Sequence, residues 1–97
     1  MFDKMKQLME MKRQADQIKR ELDAQISHLE EVKGIRLSVN GSQNFKTLEI
    51  DEGLLKPENK KSLEQGLLRS INAAVQRSQV VAAQKMKSIL PGGFPGM

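Results

Sequence analysis

The chain has 97 residues and no cysteine, which suits one small domain and excludes disulfide staples and thiolate metal sites. Its single histidine, His28, leaves no set of imidazole ligands or Cys/His nucleophile pair within one subunit. A net charge of +4 favours polyanionic partners. No apolar run reaches the roughly 18–20 residues of a membrane span, and the first fourteen residues carry charge where a secretory leader carries its apolar segment, so a soluble, cytoplasmic protein is expected.

The first predicted element is a long N-terminal helix from Met5 to about Leu29. Leu8, Met11, Ala15, Ile18, Leu22, Ile26 and Leu29 recur at spacings of three and four and draw one apolar stripe. Leu8, Ala15, Leu22 and Leu29 are seven apart, the spacing of a coiled-coil seam that calls for another helix. Beyond Lys33 the period becomes two: Ile35, Leu37 and Val39 alternate with Arg36, Ser38 and Asn40, as in a strand with one buried face. Asn40-Gly41 is a favoured turn pair, and Phe45–Ile50 reads as the returning strand of a hairpin centred on residues 40–44. Pro57 and Glu58 suit the first turn of a helix. From there Leu63, Leu67, Ile71, Ala74, Val75 and Ala82 continue a second helical stripe until Pro91-Gly92-Gly93 stops it. The expected architecture is α+β: a long N-terminal helix, a small antiparallel sheet of two or three strands, and a long C-terminal helix. It forms one domain over residues 1–90, with a flexible Gly/Pro tail over 91–97. So small a core, beside an uncovered stripe, calls for a homodimer.

Charge is unevenly distributed. Basic and acidic side chains balance through Lys56, so the whole +4 arises from Pro57 onward, and no acid follows Glu64 although Arg69, Arg77, Lys85 and Lys87 do. The last helix therefore has a one-signed electrostatic surface. Three Phe with neither Trp nor Tyr offer little on which unpaired bases could stack. Lys and Arg on helix surfaces suit duplex phosphates, whose contacts position a protein without reading sequence. The candidate DNA contacts are Lys4, Lys6, Lys12 and Arg13 on the first helix and Arg77, Lys85 and Lys87 on the last. Against them stands the ordinary role of surface lysines, solvation, and the i,i+4 pairs Lys12–Asp16 and Asp16–Arg20 that would spend charge locally.

The sequence carries no catalytic constellation. Glu30-Glu31 and Asp51-Glu52 match no loop motif, Gly92-Gly93 lacks the lysine and following helix of a phosphate loop, and Gly66 reads as a close-packing position in a helix. No enzymatic activity, cofactor, metal or small-molecule substrate is expected.

The order helix, hairpin, helix and Gly-Pro tail resembles the YbaB/EbfC family of bacterial nucleoid-associated proteins over nearly the whole chain. The resemblance rests on Val39-Asn40-Gly41, Leu48-Glu49-Ile50-Asp51, Leu54-Leu55, Leu63-Glu64, Ile71-Asn72-Ala73-Ala74, the N-terminal Met-Phe and the closing Pro91-Gly92-Gly93-Phe94-Pro95-Gly96. It implies a three-stranded antiparallel sheet between two long helices, and a homodimer whose protruding helices grip duplex DNA like tweezers and organise the chromosome in the nucleoid. Asn40-Gly41, Ile50-Asp51 and Leu54-Leu55 fall at positions read as structural. Two features depart from the family pattern. Glu31-Val32-Lys33-Gly34 runs straight into Ile35, leaving the first strand short, over about His28–Val32, or missing. Gln65 and Ala73 stand where acids are usual, which makes the last helix more basic. The competing reading is a helical protein-interaction scaffold whose Met-rich seam docks a partner protein rather than DNA.

Overall fold

The computed structural model describes residues 2–89; Met1 and residues 90–97, including the expected Gly/Pro tail, lie outside the described residues. Helix α1 (Phe2–Ala24) leads into strands β1 (Ile26–Val32), β2 (Ile35–Asn40) and β3 (Phe45–Ile50). Two short 3-10 turns, Glu52–Leu54 and Pro57–Asn59, then precede helix α2 (Lys60–Ile89). The sheet is antiparallel in the order β1-β2-β3. The α+β architecture expected from the sequence is thus the one observed, with three strands.

The predicted first helix ran too far. Ile26 and Leu29 belong to β1, and α1 stops at Ala24. Its end is fixed from outside: the Gly41 N–H donates to the carbonyls of Leu22 (2.9 Å) and Gln25 (3.1 Å), and the Asn40 side-chain amide donates to the Asp23 carbonyl (3.2 Å). These long-range bonds reach carbonyls at the end of the helix, where the one local bond besides them is from the Gln25 N–H to the Leu22 carbonyl (3.2 Å). A spacing of three, helical in appearance, puts Ile26 and Leu29 on opposite faces of a strand. Ile26 pairs across from Asn40, whereas Leu29 pairs with Leu37 and packs against the core. A register shift between Leu29 and Val32 breaks the period-two pattern that would have marked the strand.

β2 is the centre of the fold. Ile35, Leu37 and Val39 are all buried, facing α2, which meets them with a row of small side chains. Gly66, Ser70, Ala74 and Ser78 are buried at four-residue intervals, and the Ser70 hydroxyl is satisfied by the Gly66 carbonyl at 2.7 Å. A Cβ on Gly66 would lie 3.0 Å from the Ile35 Cδ1, so glycine sets how closely helix and sheet approach. Gly34 closes the β1–β2 turn at φ 92°, a conformation L side chains rarely adopt. α2 lies over β1 and β2 and leaves β3 largely bare on the same side.

Asn40, buried and polar, joins the elements. Besides its bond to α1, its side-chain carbonyl accepts from the N–H groups of Ser42 (3.0 Å) and Asn44 (2.9 Å), holding the β2–β3 turn. Its backbone carbonyl accepts from the Ser78 hydroxyl of α2 at 2.8 Å, and that hydroxyl accepts in turn from the Gln43 N–H at 3.0 Å. Asn40→Ala would remove the three side-chain bonds, to the Asp23 carbonyl and from the Ser42 and Asn44 N–H groups, and cost about 2–4 kcal/mol. Thermal unfolding should show a midpoint lower by ten degrees or so. Gln43→Gly, at a site already in the left-handed region (φ 64°), should not lower it.

Candidate nucleic-acid interface

The two helices carry all of the excess positive charge. α1 holds six basic and five acidic side chains (net +1), and α2 holds six basic and one acidic (net +5). Residues 26–59, the sheet and the turns after it, hold four basic and six acidic (net −2). A polyanion is thus drawn towards the helices and away from the sheet.

On α1, residues 3–17 are all exposed, so the helix projects from the body over roughly 22 Å at 1.5 Å per residue. Lys6 and Arg13, both predicted contacts, are seven residues apart and lie on its outer side. Arg20, seven further on, continues the row, and Arg13 borders one shallow surface depression with Lys6 and another with Arg20. Lys12 lines the second of these beside Asp16. Lys4 is eighteen residues, five whole turns, before Leu22, and so falls on the apolar side of the helix. Arg13 is also 3.7 Å from Glu10, an exposed pair of little energetic weight. The expected i,i+4 pairs of Lys12 and Arg20 with Asp16 are not among the ion pairs of the described residues.

On α2 the predicted contacts separate. Lys85 turns inward and pairs with Glu21 of α1 at 3.2 Å, its side chain only 28% exposed; this bridge ties the two helices together. Arg77 and Lys87 are exposed. Arg69, eighteen residues before Lys87, shares its face, and Arg77 is about 80° round the helix from Arg69. The structure thus brings Lys6, Lys12 and Arg13 together on the outer side of α1 and leaves Lys4 on its apolar side, while on α2 Arg77 and Lys87 are exposed and Lys85 is engaged by Glu21. Arg20 and Arg69, which share these faces, were not among the sequence candidates. Their seven- and eighteen-residue offsets from Arg13 and Lys87 were the signal that could have found them.

The sheet face turned away from α2 is unsuited to phosphate. Arg36 spans it, donating to Asp51 (2.6 Å), Glu49 (3.1 Å) and Glu30 (3.3 Å). The hydrogen bond to Asp51, then that to Glu49, holds the guanidinium pKa above its ordinary value, so it stays charged at any working pH. One cation against three carboxylates leaves the face acidic, with Ser38 bonded to Thr47 in its middle at 2.5 Å. Among the described residues no group of three metal-ligating side chains occurs, and no helix is long and apolar enough to cross a membrane.

Comparison with known proteins is consistent with this division of charge. The profile of the YbaB/EbfC DNA-binding family matches residues 1–94. Among solved structures, the uncharacterized protein HP0035 from Helicobacter pylori superposes with a TM-score of 0.70 at 22% identity, over 81% of this chain and 85% of that one; at that identity the likeness speaks for the fold alone. An arm resting on so few contacts should open easily. In hydrogen exchange on the free protein, amides of residues 6–17 are expected to exchange far faster than those of residues 66–81. Equal protection of the two segments would show that α1 is covered over its whole length.

Proposed function

The chain belongs to the YbaB/EbfC DNA-binding family, and on that premise we propose that it is a non-enzymatic, nucleoid-associated protein of the cytoplasm. In this reading it binds duplex DNA as a homodimer with low sequence specificity, organising the chromosome and thereby affecting gene expression. The observation that carries the reading is the stretch of α2 after Glu64, free of acids and bearing Arg69, Arg77 and Lys87 on its outer surface. Low specificity follows from the side chains on offer. Exposed Lys and Arg on helices reach phosphates, and no aromatic platform accompanies them for reading unpaired bases.

Each phosphate neutralised releases bound counterions, so log affinity falls with log salt at a slope of about 0.9 per contact. Gel shifts of a mixed-sequence duplex across a salt series should give a steep line. Arg77→Ala and Lys87→Ala should each weaken binding similarly on unrelated sequences and reduce the slope by roughly one. Lys85→Ala should leave the slope nearly unchanged, because that charge is engaged by Glu21. A folded protein that shifts no duplex at low salt would overturn the DNA reading.

A second reading has its own observation. Met5, Leu8, Met9 and Met11 are each 64–65% exposed on α1, an adaptable apolar surface of the kind that receives a partner helix. A protein partner retained after nuclease treatment, and released by Leu8→Glu, would favour that scaffold role.

A further inference from the structure

We propose that Met9 is the residue through which the projecting arm of α1 reads base edges: its side chain meets the 5-methyl groups of thymine in the major groove, while Lys6 and Arg13 beside it hold phosphates. This contact rests on the duplex-binding reading above and adds to it an attraction that is not electrostatic.

The helix period places Met9. Ile18 is half-buried beside Glu21 and Lys85, where the two helices meet. Successive residues of an α-helix are about 100° apart, so Met9, nine residues before Ile18, lies on the opposite side of α1 and faces away from the body. It is 65% exposed, an apolar side chain that gains nothing from its own core. Lys6 stands three residues before it and Arg13 four after it, the spacings of helix-surface neighbours. Of the residues around the two shallow depressions on this side, Met9 is the apolar one in both; Arg13 is also common to both, with Lys6 at one and Lys12 and Arg20 at the other. Two carboxylates share the surface, Glu10 at 3.7 Å from Arg13 and Asp16 between Lys12 and Arg20. Four cations against two acids leave it net positive. Met11 is equally exposed, at 65%, but lies about 200° round the helix from Met9, with the row of Leu8 and Ala15.

Size selects the groove. Residues 3–17 are exposed on every side, and a helix with its side chains is about 10–12 Å across. That matches the major groove, about 12 Å wide, and is roughly twice the width of the minor groove. α2 lies over β1 and β2 and is barred from a groove along that stretch. Lys6 and Arg13 are about 10 Å apart along the axis of α1. With both on phosphates, Met9 lies between them over the groove floor. There thymine presents its methyl group for apolar contact, and the other bases present only donors and acceptors. A flexible thioether adapts to a floor that changes from one site to the next, so a preference for thymine is compatible with low overall specificity.

Uracil is the probe, since it differs from thymine only in lacking that methyl group. The full chain is titrated with an alternating A·T duplex and with its A·U counterpart across one salt series. The wild type should bind the A·T duplex roughly fourfold more tightly for each methyl covered, the worth of about one buried CH₂. Met9→Ala should bind the two duplexes alike with its salt slope unchanged, and Met11→Ala should keep the wild-type preference. Lys6→Ala should lower the slope by about one and also keep the preference. Both methionine positions are exposed, so circular dichroism should show unchanged helix content in these variants. A wild type that binds neither duplex would sink the duplex-binding reading itself. A wild type that binds both equally well, or a Met9→Ala variant that still prefers thymine, would overturn only the role of Met9.

Discussion

Asn40 is the point through which the two helices and the sheet are held in one arrangement. Its side chain binds the end of α1 and closes the β2–β3 turn, and its backbone carbonyl receives the Ser78 hydroxyl of α2. Each of these groups is buried or half-buried, where an unmet hydrogen bond costs far more than a met one gains. The adjoining Gly41 allows no side chain, since a Cβ there would lie 2.9 Å from Leu22 Cδ2 and 3.1 Å from the Leu22 carbonyl oxygen. α1 can therefore leave the body in one direction only, set by two residues of the turn. The direction of the arm, and with it the position of Lys6, Arg13 and Arg20, depends on a junction that bears no charge.

From that junction the surfaces divide by chemistry. The sheet side keeps its carboxylates around Arg36 and repels polyanions, while α2 carries the uncompensated positive charge and α1 extends a basic row into solvent. Lys85 marks the boundary: by pairing with Glu21 it contributes to the posture of the arm rather than to the outer field. A membership in a DNA-binding family and a fold that separates acidic from basic surfaces support the same function by independent routes.

Much of this was legible in the sequence. β2 and β3 were read with their boundaries because their alternation is clean and Asn40-Gly41 ends the first of them. α2 was read from the apolar period, but from Pro57, three residues early: Pro57–Asn59 form a 3-10 turn and the helix begins at Lys60. β1 was left as short, over about His28–Val32, or missing, where it spans Ile26–Val32, because its apolar residues lie at spacings of three, which imitate a helix, and its bulge removes the alternation. The role of Asn40 exceeded the turn signal that identified it, since its partners lie as far away as Asp23 and Ser78. Local pattern cannot show such contacts. The basic side chains were legible as a set but not as surfaces: whether Lys85 points outward or towards Glu21 depends on where α1 ends, which the stripe misplaced.

The central claim is that duplex DNA is met by the outer faces of the helices and not by the sheet. Backbone amide shifts of isotope-labelled protein, followed as a mixed-sequence duplex is added at low salt, test it most directly. The account predicts changes around Arg13, Arg20, Arg69, Arg77 and Lys87, and none around His28, Arg36, Thr47 and Glu49. Changes centred on the sheet residues, with the two helices unmoved, would contradict it.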